Sequence, residues 1–61
     1  MITTDTILQD IADTEREIAA LEAARPAAEV LADRLLRIRI DSGIAERRAF
    51  VLRLRGMLED V

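Results

Sequence analysis

The 61-residue chain has no cysteine, histidine, lysine, tryptophan, tyrosine or asparagine, and it has one proline, one phenylalanine and two glycines. Each absence removes a class of answer. Without Cys or His there is no disulfide to staple a small domain and no zinc site of ordinary composition. The common general bases and covalent nucleophiles are missing, as is the lysine that grips phosphates, and neither glycine stands in a glycine-rich phosphate loop. We therefore expect a non-enzymatic protein that uses no cofactor and no metal. The scarcity of turn residues argues against sandwiches and barrels, which need them at regular intervals. The longest apolar runs, Ile18 to Leu21 and Ala49 to Leu52, are four residues each, far below the ~18 to 20 that a membrane-spanning helix needs. Met1 to Asp5 show neither a basic nor an apolar leader segment, so the expected location is the cytoplasm.

What remains is helix-forming material: 21 large apolar side chains, ten alanines, 12 acids and nine basic residues, all of them Arg. The expectation is a single all-α domain over residues 1–61. A domain this small buries only ~60 % of the surface that its unfolded chain exposes, so a partner subunit is the expected source of further stability.

Charge is unevenly distributed along the chain. The first 33 residues carry eight acids and two Arg, whereas residues 34–55 carry seven Arg against Asp41 and Glu46. The formal net charge of −3 hides an acidic first half and a basic second half.

The first helix is expected over about residues 4–24. Thr3 as N-cap would set Ile2 against Ile7 as a hydrophobic staple, and Thr6 with Gln9 would make an alternative capping box. Ile7, Ile11, Thr14, Ile18 and Leu21 then recur at spacings of 4, 3, 4 and 3, the pattern of a coiled-coil seam. Arg25 precedes Pro26, and the residue before a proline is pushed away from α geometry while Pro suits a first helical turn. A second helix is therefore expected from about 26 to 41; a kinked but continuous helix through Pro26 is the alternative.

This second segment carries two apolar faces. Ala27, Leu31, Leu35 and Ile38 form one. The other begins at Leu36 and Ile40 and continues through Ile44, Arg47, Val51, Leu54, Leu58 and Val61, with Phe50 and Met57 beside it. Asp41, Ser42 and Gly43 are poor helix formers in a row, and Ser42 could cap a new helix. Two architectures follow: an antiparallel helical hairpin with a long second helix, or a three-helix unit broken near Ser42–Gly43, its third helix covering about 43–60. Both use coiled-coil-like packing. A long second helix of ~50 Å beside a first of ~30 Å leaves residues from Phe50 onward overhanging.

These patterns point to a protein-protein interaction or assembly module, with a second copy or another helical protein as partner. The residues expected to bind it are Leu36, Ile40, Ile44, Phe50, Val51, Leu54, Met57, Leu58 and Val61, packed helix into groove. The alternative is a small dimeric nucleic-acid-binding regulator in which Arg34, Arg37, Arg47, Arg48, Arg53 and Arg55 neutralise phosphates. A sequence pI near 4.8 and the lack of aromatics for base stacking weigh against it. The simpler role for those arginines is pairing with the acids of the first helix, which sets orientation more than affinity. Asp10, Asp13 and Glu17 share a helical face and are read as a solvated surface rather than a cation site. Arg25 and Arg47 fall on apolar stripes, where an Arg lays its stem on the seam and carries its head to water.

Overall fold

In the computed structural model, which describes residues 2–60, the chain is a helical hairpin of α1 (Thr4–Val30) and α2 (Arg34–Glu59) packed against each other. Thr3 is the cap that starts α1: its backbone is extended and its side-chain oxygen accepts a hydrogen bond from the Thr6 amide at 3.2 Å. That satisfies one of the amides that every helix start leaves unpaired.

The first helix does not end near Ala24. It runs through Pro26 to Val30, the continuous alternative, and the second helix begins at Arg34 rather than at Pro26. Packing supplies the reason. The apolar series of α1 continues past the proline to Ala28, which is 1 % exposed and clusters with Ile40 and Ile44, with Ile18 and Leu21 beside them. A helix ending at Ala24 would forfeit that cluster.

The chain reverses at residues 31–33. The Ala32 amide donates to the Glu29 carbonyl at 3.1 Å and the Asp33 amide to the Ala28 carbonyl at 3.0 Å, the two bonds of a Schellman closure. Ala32 takes the left-handed conformation this closure requires, with φ of 54°. Asp33 then caps α2, its side chain accepting from the Leu36 amide at 2.9 Å.

No break interrupts α2 at Asp41, Ser42 and Gly43, so the hairpin is realised and not the three-helix unit. Contacts across the interface hold two of these poor helix formers, Asp41 and Gly43, in place. A Cβ on Gly43 would lie 3.2 Å from Arg47 Nη1 and 3.3 Å from Leu21 Cδ1, so the glycine makes room for both side chains. Asp41 is held by Arg25 of α1.

With 27 and 26 residues the helices match in length and form a rod of 45 × 16 × 14 Å. The expected overhang from Phe50 onward is therefore absent from the hairpin. The shared interior holds Ile7, Thr14 and Ala28 from α1 with Ile40, Ile44, Val51 and Leu54 from α2. Thr14 is the buried polar member, and its hydroxyl donates to the Asp10 carbonyl at 2.7 Å.

Candidate interaction surfaces

The interior uses the face of α2 that was expected to await a partner. Ile40, Ile44, Val51 and Leu54 are buried in a chain that has only α1 to bury them. Leu58 is half-buried, whereas Leu36, Phe50 and Met57 are close to 40 % exposed at the edges of the interface. Val61 lies outside the described residues. The expectation that this stripe stands open is thus corrected: α1 fills most of it, because α1 runs seven helical turns rather than about six and reaches along all of α2.

The open apolar surface is the opposite face of α2. Leu35, Ile38 and Leu52 are 60, 51 and 70 % exposed, and Ser42, Ala45 and Ala49 between them are exposed too. Leu35 and Ile38 belong to the Ala27, Leu31, Leu35 and Ile38 stripe, which was not among the residues expected to bind a partner. The two faces of the second segment were legible, but which one α1 would cover was not. The signal that decides it is length: the Ile40 series continues to Leu58 at spacings of three and four and so matches the whole of α1.

Charge pairing joins the two helices. Arg25 Nε donates to Asp41 Oδ1 at 2.9 Å, and Arg25 Nη2 reaches the same oxygen. Arg48 Nη2 donates to Glu22 Oε1 at 3.0 Å, Arg55 Nη2 to Glu15 Oε1 at 2.9 Å, and Arg47 Nε lies 3.5 Å from Glu17 Oε2. The hydrogen bond and charge of Asp41 hold the Arg25 guanidinium above its ordinary pKa, with smaller contributions from Glu29 and Glu22. A raised pKa on a cation contributes stability that is lost only as pH climbs past the ordinary arginine range, so the Arg25 contribution is fully present at neutral pH.

Arg47 shows how a charge sits in an apolar seam. Its Nη1 donates to the Gly43 carbonyl at 3.2 Å, while its buried Nε makes no hydrogen bond and has only the longer contact to Glu17. Its side chain is 37 % exposed with Nε buried, so its head is only partly carried to water.

The six-arginine cluster is therefore divided. Arg47, Arg48 and Arg55 are tied to acids of α1, as the simpler reading had it. Arg53 lies over the Phe50 ring, 5.9 Å from its centroid, a cation–π distance. Arg34 and Arg37 line an open depression of about 330 Å³ at the turn, which they share with Glu29 and Asp33. Asp13 is engaged by Gln9 and Arg16, and Glu17 by Arg47, so two of the three acids Asp10, Asp13 and Glu17 meet a cation within the chain. A second shallow groove, about 350 Å³, runs beside the Arg55–Glu15 pair and is floored by Ile18, Val51 and Leu52. Among the described residues no helix is long and apolar enough to cross a membrane.

No protein-family model, curated protein or solved structure matches the chain.

Proposed function

We propose that this hairpin is a non-enzymatic assembly module that oligomerises with, or docks on, another helical chain through an apolar helix face, with coiled-coil-like packing. The observation that carries the reading is the exposed pair Leu35 and Ile38 on the outer side of α2, extended by the exposed Leu52, which also borders the groove beside Ile18 of α1. A two-helix rod has one interior, and α2 offers it two apolar faces, so one face is left for a further helix.

Sedimentation equilibrium over a wide concentration range tests the reading. The expected result is a mass above that of the 6.8 kDa chain, rising with concentration. A folded monomer at every concentration overturns it. Binding of duplex DNA at physiological salt that weakens steeply as salt rises would favour the alternative role for Arg34, Arg37 and Arg53.

A further inference from the structure

We infer that the partner is a second copy of this chain, running antiparallel along the outer face of α2 in the register that sets Leu35 against Leu52, Ile38 against Ala49, and Ser42 against Ala45 of the second copy. This deepens the assembly reading above and rests on it.

The geometry begins with spacing. Leu35, Ile38, Ser42, Ala45, Ala49 and Leu52 follow one another at intervals of 3, 4, 3, 4 and 3, and all six are exposed and uncharged. At about 100° per residue this row lies roughly 170° around α2 from the Ile40, Ile44, Val51 and Leu54 row. A helix seated on it therefore leaves α1 undisturbed. Antiparallel pairing of two such rows is self-complementary: each of the three layers named above occurs twice about a twofold axis passing between Ser42 and Ala45. Small residues at the centre let the backbones approach, and leucines close both ends.

Charge decides between a second copy in this direction and the same row in parallel. In an antiparallel pair the residues along each edge meet their own edge on the other helix. Arg39 then faces Glu46, and Asp41 faces Arg48, each twice by symmetry. In parallel pairing Asp41 would meet Glu46, Arg34 would meet Arg39, and Arg48 would meet Arg53, all like charges. Among the described residues Arg39 and Glu46 have no ion pair inside the hairpin. Asp41 and Arg48 already hold Arg25 and Glu22, so the new contact links two existing pairs into a four-charge chain. The one unfavourable kind of meeting, Arg34 with Arg55, also occurs twice, at the two ends of the contact, where Glu15 already pairs with Arg55. The product is one layer of four helices, with the two copies of α2 inside and the two copies of α1 outside.

The chain's lack of cysteine makes a direct test possible. Full-length Leu35→Cys and Leu52→Cys variants are oxidised separately and as a mixture, with circular dichroism confirming helicity. The mixture should cross-link, whereas Leu52→Cys alone should not, since the two copies of position 52 lie about 26 Å apart along the axis at 1.5 Å per residue, beyond any disulfide. In the unmodified chain, Glu46→Arg should weaken dimerisation about tenfold by turning two exposed attractions into repulsions. Arg39→Glu combined with Glu46→Arg should restore it. A dimer that cross-links position 52 to itself, or that Glu46→Arg tightens, overturns the antiparallel register and leaves the assembly reading standing; so does a dimer that cross-links in neither arrangement. A folded monomer that never cross-links overturns both.

Discussion

Replacing Pro26 by alanine should stabilise the hairpin, and the size of the gain follows from where the proline sits. Pro26 lies inside α1, four residues before its end. It has no amide to donate to the Glu22 carbonyl, and its ring crowds that same carbonyl. In a helix interior this costs ~3 kcal/mol relative to alanine. The ring is exposed, so its removal gives up no core contact. That figure is measured against the unfolded chain and so already contains the greater freedom of the unfolded alanine. A gain of up to ~3 kcal/mol is large beside the ~3 to 5 kcal/mol that a core of this size rarely exceeds. Urea unfolding followed by helical circular dichroism reads it directly. With a slope of roughly 1 kcal/mol/M for so small a chain, the midpoint should rise by up to about 3 M with the slope unchanged. Both proteins must be compared at one concentration, because association adds to apparent stability. An unchanged or lowered midpoint would refute the argument, since it would mean that the ring contributes something an exposed side chain should not.

Ala32→Gly should raise the melting temperature by about 4 to 8 °C, because relieving a left-handed alanine is worth ~1 kcal/mol; a lower melting temperature would show that the turn at 31–33 is not held as described. Thr14→Val should leave urea stability within about 1 kcal/mol or improve it, because the buried hydroxyl only back-bonds to a helix carbonyl; a larger loss would mean that the hydroxyl has a further partner. Gly56→Ala should gain up to ~0.8 to 1 kcal/mol in a helix with open space around that position. Gly43→Ala should gain less, because Arg47 and Leu21 must first give way; equal gains in thermal melts would remove the close-packing account of Gly43.

The all-helical class, the start of α1 at Thr3 and the seam from Ile7 to Leu21 were legible because each is a local property with a fixed period. The reversal at 31–33 was not. Its backbone needs a left-handed residue and the sequence supplies alanine where glycine is the usual mark, while Pro26 offers a stronger-looking stop five residues early. The Asp33 cap stands at the right place, but an acid before Arg34 reads equally well as surface. Gly43 misled for a related reason: propensity marks it as a breaker, and only the approach of Leu21 from the other helix shows why a helix keeps it. The candidate site was half legible. Two apolar faces on the second segment could be counted, but assigning α1 to one of them required the true length of α1, which the proline concealed.

The four ion pairs between α1 and α2 contribute less to stability than to alignment. All are substantially exposed, and such pairs are typically worth ~0.2 to 1 kcal/mol each. Four in one register nevertheless penalise a short slip, because a shift of three residues brings Arg48 opposite Arg25 and takes Asp41 away from it. On the assembly proposed above, the same device serves the outer face, where Arg39, Asp41, Glu46 and Arg48 carry plus, minus, minus and plus over ten residues, a symmetric order that favours antiparallel pairing. On that reading folding and association draw on opposite sides of one helix: truncating the buried Ile44 or Val51 should remove packing against α1 and act on the hairpin itself, whereas truncating Leu35, which is 60 % exposed, should act on assembly.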